Sequence, residues 1–381
     1  MTRQSLSSPL ELRKLTIPNR IVMSPMTRGF CPGGAPTAEV ADYYARRAAG
    51  GCGLIISEAV GIDHPSALGD AGLGEDNIPV LHGDAPVAGW RRVVEAVHAA
   101  GGRIVPQLWH QGALRLPGTG PHPEAPVLSP SGLWGPLGRM TSFTGDKIPA
   151  DPHIGEPMTE AQVEEVIEAY VRSARNAMLA GFDGIAIHGA HGYLIDTFLW
   201  AETNQRQDRW GGDRSGRTAF AVEIVRRIRR EIGPELPIFF RFSDWKQQDF
   251  RAQLATTPQE LEQVLCPLAE AGVDVFDASV RYFDKPAYPD SDLNLAGWAK
   301  KVTGKCSMAV GGVGINKGMF DGDKGVAAVD NVDRVVQRLM SGEFDLVAVG
   351  RAILGDAEWA RKAIAGESAL PFDPGTLNQL A

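Results

Sequence analysis

Residues 159–193, TEAQVEEVIEAYVRSARNAMLAGFDGIAIHGAHGY, predict a helix followed by a strand, the unit from which the whole chain is built. Thr159 and Gln162 form a capping-box pattern at the start of the helix, and Gly181 ends it. Apolar residues recur between them at intervals of three and four: Val163, Val166, Ile167, Tyr170, Val171, Ala174 and Met178. The apolar run 184–188 then predicts a strand buried on both faces, which is typical of parallel sheets covered by helices.

The same pattern of apolar run and helical segment repeats along the whole chain. The predicted strands are 20–24, 54–58, 103–108, 184–188, 238–242, 273–278, 307–310 and 346–350. The predicted helices are 38–49, 87–100, 159–180, 218–230, 258–271, 293–302, 332–340 and 359–365. Eight strand and helix units predict an α/β fold of the (β/α)8 type, the TIM barrel.

Three segments lie outside the repeating units. Two short apolar runs, 10–12 and 15–17, predict an N-terminal β-hairpin that plugs the bottom of the barrel. Residues 112–157 are rich in Gly, Pro and Ser and have no sustained period, so they predict a lid inserted after strand three. Residues 63–84 form a second insertion, after strand two. Since no linker composition occurs, the sequence predicts a single domain over residues 1–381.

Composition and charge argue against several classes of function. The chain has 38 basic and 46 acidic residues, which disfavours nucleic acid or an anionic membrane as the main partner. It contains no apolar run of ~18 residues and begins with a polar segment, so we expect no membrane span, no secretory signal and a cytoplasmic location. The cysteines lack CxxC spacing, which disfavours zinc and iron–sulfur sites and predicts reduced thiols at Cys31, Cys52, Cys266 and Cys306.

Polar residues and glycines stand where the predicted strands end, and in this barrel type such positions carry function. Gln107 and Arg241 would point an amide and a guanidinium into the barrel mouth, where each needs a partner. Gly311-Gly312 and Gly350-Arg351 follow the last two strands, the position at which this fold commonly holds a phosphate. We therefore expect a phosphorylated ligand, either a cofactor or a substrate.

A second group of candidates, His188, His191 and Tyr193, follows strand four. Two imidazoles can hold a carbonyl oxygen that gains negative charge, while a phenol donates a proton. We expect no metal here, because the chain has neither an HExxH pattern nor a nearby carboxylate triad.

Two other polar segments are interpreted as structural. Residues 206–217, RQDRWGGDRSGR, predict a loop held by ion pairs and glycine turns, and Trp90, Arg91 and Arg92 predict an exposed edge of helix two.

In this order, the strand-end residues resemble the old yellow enzyme family of FMN-dependent ene-reductases. The motifs that carry the resemblance span nearly the whole chain: 19–27 (NRIVMSPMT), 107–109 (QLW), 188–194 (HGAHGYL), 206–217 and 349–351 (VGR). The resemblance implies a TIM barrel that binds FMN, oxidises NAD(P)H and reduces alkenes activated by a carbonyl or nitro group.

The resemblance also implies roles for the cofactor contacts. Thr27 would hydrogen-bond flavin O4, Gln107 would pair with the pyrimidine edge, and Arg241 would lie beside N1 and O2. Further neighbours of the flavin would be Pro25, Met26 and Ala59. The phosphate would be held by Gly311, Gly312, Gly350 and Arg351.

On the substrate side, the resemblance assigns the carbonyl oxygen to His188 and His191. Tyr193 would protonate Cα after hydride passes from flavin N5 to Cβ, and Trp109 would form a wall of the substrate pocket.

The chain departs from any one branch of this family. One branch has Cys where Thr27 stands, and another has His then Asn where this chain has His188 then His191. Since the chain ends at Ala381 without a cysteine cluster or nucleotide-binding domain, we expect it to be unlike the multidomain dienoyl-reductase relatives. A homo-oligomer is compatible with the resemblance.

Two alternative functions remain open at this point. One keeps the fold and the flavin but oxidises its substrate, as an amine dehydrogenase or demethylase. The other is a flavin-free sugar-phosphate isomerase or lyase, in which the glycine loops after strands seven and eight bind substrate.

Overall fold

In the computed structural model, which describes residues 3–70, 77–317 and 326–380, eight parallel strands close into a barrel. A hairpin precedes them, formed by β1 (Leu10–Leu12) and β2 (Leu15–Ile17). The barrel strands are β3 (Ile21–Met23), β4 (Leu54–Gly61), β5 (Ile104–Trp109), β6 (Ile185–His188), β7 (Ile238–Ser243), β8 (Val275–Ser279), β9 (Cys306–Val310) and β10 (Leu346–Val349). Each strand pairs with its neighbours in sequence, and β10 closes the ring against β3. The predicted (β/α)8 barrel is confirmed.

Every predicted helix is present, with ends that differ by a few residues. The helices are α1 (Ala38–Ala49), α2 (Asp84–Ala99), α3 (Glu160–Ala180), α4 (Leu194–Leu199), α5 (Arg214–Ile232), α6 (Pro258–Ala271), α7 (Leu295–Thr303), α8 (Val332–Met340), α9 (Arg351–Gly355) and α10 (Trp359–Ala365). The capping box of Thr159 and Gln162 begins α3, and the left-handed Gly181 ends it. Helices α4 and α9 were not predicted, because five or six residues are too few to display a helical period.

The hairpin closes the amino-terminal end of the barrel, as predicted. Leu12, Leu15 and Ile17 are buried against inward-facing residues from all eight strands: Val22, Ile56, Val105, Ala186, Phe239, Val275, Met308 and Leu346. The backbone N–H of Lys14 also donates to the carbonyl of Glu235, just before β7 (3.0 Å). The carboxyl ends of the strands are therefore left as the open mouth of the barrel.

The prediction of an exposed edge at residues 90–92 is wrong for Trp90. Its side chain is fully buried, and its indole N–H donates to the carbonyl of Val80 at 3.1 Å. Trp90 shares the buried face of α2 with residues three, four and seven positions along, namely Val93, Val94 and Val97. Arg91 and Arg92 are exposed, so the prediction holds only for the two arginines.

Residues 206–213 form a loop held by ion pairs, as interpreted from the sequence, but residues 214–217 are the first turn of α5 and not part of the loop. The Arg206 guanidinium pairs with Asp208 at 2.5 Å, and Arg209 pairs with Glu160 of α3 at 2.5 Å. Gly212 adopts a positive φ of 76°, which provides the glycine turn.

The predicted lid, residues 112–157, is a long loop with 3₁₀ turns at Gly112–Leu114 and Gly145–Lys147. Its first part is organised by Arg115, which is 1% exposed and donates four hydrogen bonds of 2.6–2.9 Å to backbone carbonyls. The acceptors are Leu68, Thr119, His122 and Ala125. Because Leu68 belongs to the insertion at 63–84, of which residues 71–76 lie outside the described part, Arg115 joins both insertions.

Within the described ranges, no helix combines the length and the apolar character needed to cross a bilayer. The thiols of all four cysteines are free, and those of Cys31 and Cys52 are buried.

Replacing Arg115 should release the first part of the lid. Arg115→Met keeps an apolar stem and removes every donor, and a hydrogen bond to a charged group contributes about 1.5–3 kcal/mol. We expect amide hydrogen exchange across residues 112–125 to accelerate by about tenfold or more. Arg139→Met, at an exposed arginine of the same lid, is the matched control. Unchanged exchange in Arg115→Met would contradict this account of the lid.

Candidate active site

The candidate residues meet in a single cavity of about 420 Å³ at the mouth of the barrel. Every residue predicted for the site lines it: Pro25, Met26, Thr27, Ala59, Gln107, Trp109, His188, His191, Tyr193, Arg241, Gly311, Gly312, Gly350 and Arg351. The cavity also has walls that the sequence did not single out, including Ser24, Trp245, Gln247 and Ser279. Residues from all eight strand ends and the loops beyond them are thus brought together.

A buried ion pair occupies the centre of this mouth. Arg241 on β7 lies between His188 on β6 and Asp277 on β8 in the strand register. Its Nε donates to Asp277 at 2.5 Å, and its Nη2 donates to the hydroxyl of Ser24 at 3.1 Å. Burial raises the pKa of Asp277 while the neighbouring cation opposes the rise. The sequence contained a signal for this partner, since Asp277 is a carboxylate within the apolar run 273–278.

Both site histidines are neutral near pH 7. Burial, and next the Arg241 cation, hold the pKa of His188 well below its usual value. The pKa of His191 is also well below its usual value, because of burial and then because of His188, Arg241 and Lys246. The two rings lie edge to face, with centroids 4.9 Å apart. Neutral imidazoles can each donate one hydrogen bond without introducing a charge.

Hydrogen bonds orient each imidazole. The backbone N–H of Ala190 donates to Nδ1 of His188 in a long 3.4 Å contact, which assigns the His188 proton to Nε2. His191 has its Nε2 2.7 Å from the hydroxyl of Ser279, and its ring stacks on Trp245 at 4.2 Å. The sequence did not predict the roles of Ser279 and Trp245, since both contact His191 from the ends of other strands.

The phenol of Tyr193 completes this side of the cavity. Its ring meets that of His188 edge to face at 4.9 Å and that of Trp109 at 4.8 Å. Tyr193 immediately precedes α4, so the start of this short helix fixes its backbone. The two imidazoles and the phenol therefore share one wall of the cavity.

Other residues that line the cavity suit the binding of a phosphorylated ring system. The side-chain amide nitrogen of Gln107 is buried with no hydrogen-bond partner among the described residues, which costs about 1–3 kcal/mol unless a ligand accepts from it. Gly311 has φ 130°, and a Cβ there would lie 2.2 Å from the carbonyl oxygen of Val280. Gly312, with φ 68°, continues the turn, so the backbone of this loop can approach an anion closely. Arg351 donates to the carbonyl of Lys317 at 2.8 Å, which holds its side chain at the same end of the cavity.

Glu58, at the C-terminal half of β4, holds the loop after β3. Its Oε2 accepts from the backbone N–H groups of Arg28 (2.9 Å) and Gly29 (3.1 Å), immediately beyond Thr27. Burial raises the pKa of this carboxyl to about 7. Glu58 ends the predicted strand 54–58, but this role could not be predicted, because a carboxyl group that accepts from backbone groups leaves no sequence pattern.

Comparison with known proteins defines the class to which this barrel and cavity belong. Residues 5–369 match the NADH:flavin oxidoreductase / NADH oxidase family. The chain belongs to this family, whose cofactor is FMN and whose reductant is NAD(P)H.

Individual relatives support the resemblance to old yellow enzymes. The chain is 34% identical over 370 residues to an NADH oxidase of Thermoanaerobacter brockii, covering 95% of this chain and 51% of that protein. It is 37% identical over 234 residues to 12-oxophytodienoate reductase 7 of Oryza sativa subsp. japonica, covering 60% and 56% of the two chains. The chain thus spans about half the length of these relatives.

Solved structures show the same architecture. Morphinone reductase in complex with tetrahydroNAD superimposes with a TM-score of 0.79 at 27% identity, covering 98% of this chain and 93% of that one. An old yellow enzyme homologue from Zymomonas mobilis gives a TM-score of 0.77 at 27% identity, covering 98% and 96%.

The residues present fit FMN. The unpartnered amide of Gln107 and the guanidinium of Arg241 match the hydrogen-bonding edge of a flavin ring. The close-approach turn at Gly311 and Gly312, together with Arg351, matches a phosphate.

Titration of Glu58 should make stability fall as pH rises. The folded state holds the Glu58 proton up to about pH 7, whereas the ordinary value is 4.5, so the folded state binds more protons between these values. Relative to Glu58→Gln, the wild-type free energy of unfolding should decrease by on the order of 3 kcal/mol between pH 4.5 and 8. Urea unfolding of both proteins at several pH values measures this difference. Parallel pH profiles for the two proteins would show that Glu58 is not held in the protonated form.

Proposed function

We propose that this protein is an FMN-dependent ene-reductase that uses NAD(P)H to reduce C=C bonds activated by a carbonyl or nitro group. The observation that carries the proposal is the cluster of two neutral imidazoles and one phenol on a single cavity wall, in which the rings of His191 and Tyr193 each lie 4.9 Å from that of His188. These groups can polarise an oxygen and supply a proton at one site. The names of the relatives, which include several reductases, agree with this direction of reaction.

The fit of the cavity to FMN supports a specific set of cofactor contacts. Gln107 and Arg241 would hold the pyrimidine edge, and Thr27 would hydrogen-bond O4, with Pro25, Met26 and Ala59 packed nearby. The phosphate would be held by Gly311, Gly312, Gly350 and Arg351. Bound FMN supplies the two-electron redox chemistry that links NAD(P)H to the alkene.

The chain's own residues would activate the substrate. His188 presents an Nε2 proton, and it and His191 would hydrogen-bond the carbonyl or nitro oxygen. Because both rings are neutral, their donors stabilise negative charge as it develops and place no permanent cation on the bound substrate. The phenol of Tyr193 would donate its proton to Cα. The aromatic walls at Trp109 and Trp245 would exclude water from the reacting atoms.

The charge of the cavity disfavours the alternative of amine oxidation. An amine cation needs an anionic partner, but the carboxylate of Asp277 is already paired with Arg241. The remaining groups on the substrate side, His188, His191 and Tyr193, are neutral donors. Family membership likewise favours a flavin enzyme over a flavin-free isomerase or lyase.

Cofactor content tests the proposal first. The purified protein should be yellow and should release FMN on denaturation. Arg241→Ala should weaken FMN binding by about 10- to 100-fold, the equivalent of one charge-assisted hydrogen bond. Arg139→Ala, at an exposed lid position, should bind FMN as the wild type does. A colourless protein that FMN cannot reconstitute would contradict the proposal.

Tyr193→Phe should separate proton donation from binding. FMN affinity, reduction by NAD(P)H and enone affinity should change little, but re-oxidation of the reduced enzyme by enones should slow by about 10²- to 10⁴-fold. Nitroalkenes should still re-oxidise it, because a nitronate product can leave before it is protonated. Stopped-flow absorbance measures both rates.

The matched control for this change is Tyr170→Phe. Tyr170 is fully buried in α3, and its hydroxyl has no hydrogen-bond partner within the described residues, so removing it should leave both rates unchanged. Equal slowing of enones and nitroalkenes in Tyr193→Phe would assign Tyr193 to binding or packing instead.

A further inference from the structure

A second buried ion pair lies behind the turn that carries the imidazoles and the phenol. Lys246, beyond the end of β7, and Asp196, in α4, are 2.8 Å apart, and both side chains are 0% exposed. Neither residue lines the cavity, and the proposed reaction does not use them. A fully buried Lys–Asp pair needs further hydrogen bonds to offset desolvation, so its other contacts indicate what it holds in place.

Both members of the pair bind the backbone around the His191 turn. Asp196 Oδ2 accepts from the backbone N–H of Gly192 at 2.7 Å. The Lys246 ammonium donates to the carbonyls of Ser243 and Asp244, each at 3.2 Å. Ser243 in turn accepts, through its hydroxyl, from the backbone N–H of His191 at 3.0 Å. The pair therefore fixes the turn from both sides.

The turn needs such support because its backbone is strained. His191 has φ 66°, in the left-handed region that a residue with a side chain seldom adopts. Gly192 follows with φ 82°, and a Cβ there would lie 1.8 Å from Oε1 of Gln248. The side-chain amide of Gln248 donates both to the carbonyl of Gly192 and to that of Trp134 in the lid, each at 3.1 Å. The segment after β7 thus clamps the turn between α4 and the lid.

We propose that Lys246 and Asp196 are positioning residues that hold the His191-Gly192 turn and thereby aim the His191 imidazole and the Tyr193 phenol. The pair acts through the backbone and touches no reacting atom. Its catalytic consequence rests on the proposed ene-reductase function. The Lys246 charge adds to His188 and Arg241 among the groups that keep the His191 ring neutral.

The kinetic test uses the holoenzyme and two variants. Lys246→Met and Asp196→Ala should each slow re-oxidation by enone by about 10- to 100-fold, the effect of a small misplacement of reacting groups. FMN affinity should stay close to that of the wild type, because the cofactor contacts lie on other strands and loops except Arg241, which Asp277 of β8 holds. Asp196→Asn should recover part of the lost rate, since its side-chain oxygen can still accept from Gly192.

Lys300→Met is the matched control. Lys300 and Asp345 form an ion pair at the same 2.8 Å separation, but beside the start of β10, away from the cavity mouth. This variant should keep the wild-type rate. Wild-type rates in Lys246→Met and Asp196→Ala, or loss of rate only in proportion to loss of bound FMN, would overturn the proposal.

A second measurement tests the positioning role without using the reaction. The chain has eight histidines, so ¹³C-histidine labelling gives a resolvable NMR spectrum, and His191→Gln identifies the His191 signal. In Lys246→Met that signal should shift and titrate at higher pH than in the wild type, while Lys300→Met leaves it in place. An unchanged His191 signal would overturn the positioning role. Failure of the wild type to reduce enones would instead overturn only the proposed function.

Discussion

The Arg241–Asp277 ion pair in the barrel mouth is the interaction on which the rest of the site depends. Either charge alone would be costly to bury among apolar strands, but together they are stable and link β7 to β8. Burial is the main cause of the low pKa of both His188 and His191, and the Arg241 cation lowers both further. Consequently a fixed cation lies beside two neutral donors at the ends of β6 and β7, a distribution of charge suited to a reaction in which negative charge develops on ligand atoms.

The two ends of the barrel have different roles: the amino-terminal end is an apolar core, and the carboxyl end holds the candidate active site. At the amino-terminal end, the hairpin residues Leu12, Leu15 and Ile17 pack with apolar side chains from all eight strands and fill the interior. At the carboxyl end, the inward-facing residues are polar, and two groups of buried side chains hold the segments that carry them. Glu58 holds the loop after β3, while Lys246 and Asp196 hold the turn after β6. The precision of the site therefore depends on buried ionisable side chains that take no part in the proposed reaction.

The sequence predicted the strands and the cavity walls for a physical reason. Strands buried on both faces are continuous apolar runs, so polar residues at their ends, such as Gln107 and His188, stand out. Contacts between residues of different strands leave no such pattern in the sequence. The pairing of Arg241 with Asp277 depends on the register of β7 against β8, and the approach of Lys246 to Asp196 depends on how a loop folds over α4. Trp90 was misassigned because the two arginines beside it dominated the local pattern, although its spacing from Val93 and Val97 favours burial.

Anaerobic stopped-flow absorbance would show whether this cavity reduces activated alkenes. Holoenzyme reduced with NAD(P)H would be mixed with an enone, with its saturated ketone as the control, and oxidised holoenzyme would be mixed with a tertiary amine. We expect the enone to restore the oxidised flavin spectrum, the saturated ketone to leave the flavin reduced, and the amine to leave the oxidised flavin unbleached. Bleaching by the amine together with no response to the enone would contradict the proposed function.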